Sequence, residues 1–321
     1  MDKASIYITR KIPKTLLSNY EEHFTFRMWE KEDESVPRDV LLEEAKTVDG
    51  LLTVLSDQVD EALLSQAVNL KVVANLAVGY NNIDLSAAKK HNVLVTNTPD
   101  VLSETTADLG FALLMATARR IIEANEFIKN GEWKDWAPYL LAGADIHHKT
   151  IGIVGMGRIG EAIAKRATGF NMNIRYHNRS RKEDAEKNLG AVYSSFDDLL
   201  KESDFIVSVV PLTKETENMF NKDAFQKMKS SAIFINISRG DVVEESALFE
   251  ALKENKIRGA GLDVFREEPI HSDNPLIGLK NVVCLPHIGS ASDDTRTAMI
   301  RLCLDNIKGV IGGMGAKTPV G

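Results

Sequence analysis

Short apolar runs alternate with amphipathic stretches along the first hundred residues. Ser5–Thr9, Asp49–Leu55, Val72–Leu76 and Val93–Thr96 are apolar runs of strand length, and the intervening Asp39–Lys46 and Asp84–Lys90 carry apolar residues at helical spacing. That alternation predicts a parallel sheet with helices on both faces. Thr98-Pro99-Asp100 interrupts it, and Leu109, Ala112, Leu113, Ala116 and Ile121 then mark one face of a single long helix from about Ser103 to Asn130. Ser103, Thr105 and Thr106 supply capping hydroxyls near its start. A second series of strands follows at Thr150–Val154, Asn173–His177, Asp204–Val209, Ala232–Asn236, Gly259–Val264 and Val282–Leu285. A final helix is expected over Asp293–Lys308. The pattern predicts an α/β protein made of two doubly wound parallel-sheet domains.

Composition narrows the reading. The chain has 321 residues, 44% of them hydrophobic and 26% charged, ordinary values for a folded protein of about two domains. Its formal net charge of −7 argues against a polyanion binder, so no nucleic-acid partner is expected. Two cysteines, Cys284 and Cys303, cannot build a disulfide framework or a Cys-rich metal site, which suits a reducing compartment. The first ten residues lack the apolar run of a signal peptide, and the apolar stretch Phe111–Ala118 is too short to span a bilayer. A cytoplasmic protein with no membrane partner is expected.

Ile151-Gly152-Ile153-Val154-Gly155-Met156-Gly157-Arg158-Ile159-Gly160 runs from an apolar strand through G-x-G-x-x-G into a helix over about Glu161–Thr168. Gly155 permits the tight turn, Gly157 lets a pyrophosphate approach, and Gly160 lets helix and strand pack closely. The amides of Arg158 and Ile159 open the helix, where anions are stabilised. This context predicts dinucleotide binding. A similar Gly312-Gly313-Met314-Gly315 run lacks a preceding strand and is read as a frayed tail. At the end of the next strand an NAD site places a carboxylate on the ribose; here stands Asn178, followed by Arg179, Ser180 and Arg181. Asn178 does not repel a 2′-phosphate and the next three residues offer donors for it, so NADP(H) is expected to be preferred, with NAD(H) possible.

Three further strands end in chemistry. Arg239 follows Ile235-Asn236-Ile237-Ser238; Asp263 and Glu268 follow Gly261-Leu262; His287 follows Leu285-Pro286. Ligands of open α/β sheets bind at such carboxyl ends. Singly, each of these is a common surface or turn residue; at the ends of successive strands of one sheet they can converge. His147-His148 has no third ligand nearby, and metal catalysis finds no support.

With Asn75-Leu76-Ala77-Val78-Gly79-Tyr80-Asn81-Asn82-Ile83-Asp84, the dinucleotide fingerprint and the Arg, Glu and His segments in order, the chain resembles the D-isomer-specific 2-hydroxyacid dehydrogenase family over nearly its whole length. The resemblance is closest to the glyoxylate/hydroxypyruvate reductase branch. It implies a small 2-keto or 2-hydroxy acid substrate whose carboxylate is held by the amides of Val78 and Gly79 and by Arg239. His287 would be the general acid at the C2 oxygen, with Glu268 holding the imidazolium and favouring its charged form. Asp263 resembles the residue that bonds the nicotinamide carboxamide.

Leu55 would touch the substrate side chain, or else pack in the core. Trp136 lies in a region that in related reductases reaches toward the active site, or else it serves a dimer contact. The resemblance also implies a discontinuous substrate domain (1–98 with 288–321) of flavodoxin-like fold, a Rossmann cofactor domain (99–287), a cleft between them and a homodimer built on the Ser103–Asn130 helix. Reduction of 2-keto-D-gluconate by the same site, and a dinucleotide-sensing co-repressor that keeps the same residues, remain open alternatives.

Overall fold

A computed structural model describes residues 3–321. By contacts the chain divides into two compact units. One comprises the residues through Leu102 together with Ser292–Gly321, and the other Ser103–Ala291. Each boundary falls four residues beyond the expected one.

The first unit is built on a sheet of β1 (Ala4–Ile8), β2 (Phe24–Met28), β3 (Gly50–Thr53), β4 (Val72–Asn75) and β5 (Leu94–Thr96), in the order 2-1-3-4-5. These five strands are parallel. This is the flavodoxin-like doubly wound order. β3 and β4 are buried along their whole length, as expected of strands covered on both faces. The edge strand β2 alternates buried or partly buried Phe24, Phe26 and Met28 with exposed Thr25 and Arg27. It had no counterpart in the sequence reading, because two short 3-10 turns, Lys14–Leu16 and Ser18–Tyr20, replace the crossover helix that would have announced it.

The Asp84 side chain accepts from the Ala87 amide at 2.9 Å and starts the helix Leu85–Lys90, a cap worth about 1 kcal/mol. The helix Asp293–Ile311 completes the unit. Its face of Met299, Ile300, Cys303, Leu304 and Ile307 is buried, and it packs on β3, β4 and β5. The glycine run after it is not frayed. Asn306 accepts from the Lys317 and Thr318 amides at 2.8 and 3.0 Å, and Pro319–Val320 pairs antiparallel with β5. A buried amide from the preceding helix thus orders a tail that looked structureless.

The second unit holds β6 (Thr150–Val154), β7 (Asn173–His177), β8 (Val192–Tyr193), β9 (Phe205–Ser208), β10 (Ile233–Asn236), β11 (Gly259–Leu262) and β12 (Val282–Cys284). They form one parallel sheet in the order 12-11-10-9-6-7-8, a Rossmann-type arrangement that reverses between β6 and β9. Alternation along the strands feeds two cores. Phe205, Val207, Ile233 and Ile235 face one layer, and Ile206, Phe234 and Ala260 the other.

The long helix expected over Ser103–Asn130 is two helices, Ser103–Ala118 and Ile121–Lys129. Arg120 between them is left-handed (φ 54°) and pairs with Glu123 at 2.7 Å. The Ala118 carbonyl that would have continued the ladder is instead taken by the Ala144 amide at 2.8 Å. A later stretch of chain therefore ends the first helix. No helix among the described residues is long and apolar enough to cross a membrane.

Candidate functional site

The Gly-rich turn lies where the second sheet reverses. Gly155 has φ 103°, and a Cβ there would stand 2.9 Å from the Val209 carbonyl. Only glycine fits between the ends of β6 and β9. At Gly160 a Cβ would collide with the Gly155 oxygen, so helix and strand are in backbone contact. Gly157 differs, since nothing lies within 4 Å of an added Cβ. It caps the helix Arg158–Thr168, so open space adjoins the start of that helix. An open glycine face before a helix N-terminus at a switch point fits a dinucleotide pyrophosphate.

The four residues after β7 divide their work. Asn178 accepts from the Met156 amide at 3.2 Å and donates to the Ser180 carbonyl at 2.9 Å, so its side chain ties the Gly-rich turn to the neighbouring strand. Arg181 holds Glu186 through two bonds of 3.0 and 2.7 Å and lies 5.8 Å from the Tyr193 ring centre. Arg181, with Tyr176, keeps the Glu186 carboxyl below its ordinary value. Arg179 and Ser180 are exposed, and Arg179 makes no ion pair among the described residues.

Arg239, Asp263, Glu268 and His287 all lie at or beyond the carboxyl ends of β10, β11 and β12. His287 Nδ1 and Glu268 Oε2 are 2.6 Å apart, and Glu268 Oε1 accepts from the Phe265 amide at 2.9 Å. Burial pushes the Glu268 carboxyl up. The bond to His287, the Phe265 amide and the Arg239 charge outweigh it and hold the group below its ordinary value. Arg239 donates from Nη1 to the Ser238 carbonyl at 2.7 Å, and burial lowers its affinity for a proton against the opposing pull of Glu268. The loop of Arg239 and the loop of Glu268 touch through glycine. A Cβ on Gly240 would overlap the Phe265 carbonyl carbon.

Asp263 is 1% exposed. Its Oδ1 accepts from the Ile288 amide at 2.8 Å, and the Gly289 amide also bonds it. Burial raises its pKa against the effect of these amides and of His287. The carboxylate thus clamps the two peptides that follow His287. That residue has φ 53°, a left-handed conformation that an ordinary side chain holds only when its surroundings enforce it.

In the first unit, Val78 and Gly79 form an irregular turn after β4. The carbonyls of Ala77 and Val78 are pinned, by the Thr98 amide at 2.8 Å and by Asn97 Nδ2 at 2.8 Å. Trans peptides place N–H opposite C=O, so the Val78 and Gly79 amides point away from these anchors. They donate to no acceptor among the described residues. Two free, aimed amides suit a carboxylate. Leu55 is partly exposed in the loop after β3. Trp136, 74% exposed, sits in the irregular segment after Lys129 and belongs to neither core. His147 and His148 face each other at 2.9 Å on the surface, and no metal-holding group of three side chains occurs among the described residues.

Sequence reasoning missed Gly240, the Asp263 clamp and the side chains of Asn75, Asn82 and Asn97. One available signal was Asn75 itself, a polar residue closing the otherwise apolar run Val72-Val73-Ala74.

Comparison with known proteins gives a consistent result. Residues 111–289 match the family model for the D-isomer specific 2-hydroxyacid dehydrogenase NAD binding domain. A glyoxylate reductase of Thermococcus onnurineus is 52% identical over 309 residues, 95% of this chain and 92% of that protein. Among solved structures, a Thermus thermophilus protein aligns with a TM-score of 0.93 at 39% identity, covering 99% of this chain and all of that one. An NADPH-dependent glyoxylate/hydroxypyruvate reductase of Sinorhizobium meliloti, solved with NADP and malonate, aligns at 0.86 with 34% identity, covering 99% and 97%.

Proposed function

The chain belongs to the D-isomer-specific 2-hydroxyacid dehydrogenases and is a dinucleotide-dependent oxidoreductase; from this we propose that it reduces glyoxylate and comparably small 2-keto acids such as hydroxypyruvate, with NADPH preferred over NADH. The observation that carries the reading is the His287–Glu268 pair at 2.6 Å, standing beside Arg239 at the carboxyl ends of neighbouring strands. Glu268 occupies Nδ1 of the ring, which leaves Nε2 to donate. Protonated, that nitrogen gives a proton to the C2 oxygen while Glu268 stabilises the imidazolium. Each unit offers a group suited to a substrate carboxylate: the Val78 and Gly79 amides in the first, and the Arg239 guanidinium in the second. When bound, the reduced dinucleotide supplies the hydride that C2 accepts, so the net step consumes one proton and one hydride per carbonyl reduced.

Support for NADPH comes from the end of β7. No carboxylate stands at Asn178, and Arg179 is an exposed cation with no ion pair among the described residues, suited to a 2′-phosphate. Assembly as a homodimer is supported by exposed Ile121, Ile122, Ile128, Trp133, Trp136 and Tyr139, which line or follow the helix Ile121–Lys129. A groove of about 640 Å³ lies beside that helix at the opposite end of the sheet from His287. The groove itself is lined in part by charged side chains such as Arg120, Glu123, Glu126 and Lys280; it is the cluster of exposed apolar side chains that marks a protein interface.

The test is the loss of absorbance at 340 nm on mixing the protein with NADPH or NADH and glyoxylate or hydroxypyruvate. Turnover with NADPH at the lower KM is expected, and Arg179→Ala should weaken NADPH about tenfold or more while leaving NADH nearly unchanged. Equal effects on the two dinucleotides would remove the 2′-phosphate assignment. No turnover on either acid, alongside tight dinucleotide binding, would replace the reductase reading with a binding protein.

A further inference from the structure

Asn75 and Asn82 form a buried amide pair in the first unit, 0% and 9% exposed. Their side chains face each other reciprocally, Nδ2 to Oδ1 at 3.3 and 3.4 Å. Each also reaches out to a different loop. Asn75 Nδ2 donates to the Gly79 carbonyl at 3.0 Å, on the turn whose amides are read as the carboxylate donors. Asn82 Nδ2 donates to the Asp57 and Val54 carbonyls at 2.9 and 3.2 Å, on the loop that carries Leu55. Thr53 Oγ1 donates to Asn75 Oδ1 at 3.2 Å from the strand below.

That loop is fixed independently from its other side. Asp57 Oδ2 accepts from the Val54 amide at 2.8 Å and from Thr9 Oγ1 at 2.5 Å. A buried polar network of this kind is costly when half satisfied and rigid when complete. The carbonyls of both loops therefore converge on one amide pair.

We propose that Asn75 and Asn82 act together as a positioning pair, coupling the carboxylate-binding turn to the Leu55 loop and so setting the KM and side-chain selectivity of the substrate. The inference rests on the reading of Val78 and Gly79 as carboxylate donors. Removing either amide leaves the backbone tie of the Val59 amide to the Asn82 carbonyl at 2.9 Å but takes away the side-chain bonds nearest the turn, and lets the turn's amides drift off the direction their charge-assisted bonds need. The reacting groups on the second unit are untouched, so the effect falls on KM and spares kcat.

The test uses Asn75→Ala, Asn82→Ala and their combination in the full-length protein, with NADPH oxidation measured against glyoxylate and hydroxypyruvate, and NADPH affinity by fluorescence. Each single change is expected to raise the glyoxylate KM about tenfold or more, with kcat within about threefold and NADPH affinity unchanged. The double variant is expected to be no worse than the worse single, because the pair acts as a unit. The ratio of kcat/KM for the two acids should shift in all three.

Unchanged KM with a lowered Tm, or single effects that multiply in the double, would overturn the proposal. If the alanine variants do not fold, Thr53→Val decides: it removes only the hydroxyl bond to Asn75 and is expected to raise KM about two- to threefold, and an unchanged KM there also overturns it. Turnover by the wild type with unaffected variants refutes the pairing alone. Absence of turnover in the wild type refutes the carboxylate reading on which it stands, and the pairing with it.

Discussion

His287 is held at its backbone as well as at its ring. Its left-handed φ of 53° points the imidazole back toward Glu268, and Asp263 locks the following peptides through Ile288 and Gly289. The carboxylate of Glu268 is maintained by His287, the Phe265 amide and Arg239 against the opposing effect of burial. Its proton affinity in the folded protein is below that of the unfolded chain, so its stabilising contribution is complete above the ordinary Glu range near about 4.3 and is lost as pH falls through the lowered value. At neutral pH it is therefore fully charged beside the ring.

Glu268→Gln removes that charge and keeps the shape. The kcat at pH 7 is expected to fall about 10- to 100-fold. A kcat equal to that of the wild type would show that the Glu268 charge plays no part in the proton transfer. The Arg, Glu and His positions were legible in the sequence because each follows an apolar strand. The Asp263 clamp was not, because it depends on where the chain turns after β12, and a carboxylate bonded to backbone leaves no trace in residue type.

At the level of elements, strand ends were read well and helix ends less so. Buried parallel strands announce themselves as apolar runs, and the fingerprint glycines carry their own spacing. The break at Arg120 was invisible because the agent is Ala144, which takes the Ala118 carbonyl from a segment 26 residues further on. The β2 strand was missed because its crossover is not a helix. Gly240 is the sharpest case of an element contact hidden in one residue, since it brings the Arg239 loop against the backbone of Phe265. Gly240→Ala must separate those loops. It is expected to cost about 1–3 kcal/mol of stability and to lower kcat/KM well beyond what the fold loses, because Arg239 and the Phe265–Glu268 bond both shift. Thermal denaturation and steady-state rates on the same preparation check this; a destabilised variant with unchanged kcat/KM would show that the contact serves packing alone.

At the scale of the whole molecule, a chain of net charge −7 still places cations where anionic ligands are proposed to bind, at Arg179 and Arg239. Net charge excluded a polyanion partner as an expectation without describing any site. The apolar residues left exposed along Ile121–Lys129 and on to Tyr139 are the other whole-molecule feature. If a second copy covers them, sedimentation at micromolar concentration should return twice the mass of the chain, and Ile128→Glu, at a position 60% exposed, should return a single chain with its thermal stability otherwise little changed. A wild type that sediments as one chain would leave that surface to another partner.

The central claim is that this protein reduces a 2-keto acid with His287 as the proton donor. The most direct measurement compares the rate of NADPH oxidation with glyoxylate for the wild type and His287→Ala, with NADPH affinity determined on both. Steady turnover by the wild type is predicted, with a loss of about 10²- to 10⁴-fold in kcat for the variant and an essentially unchanged NADPH dissociation constant. Turnover by His287→Ala near the wild-type rate would contradict the account.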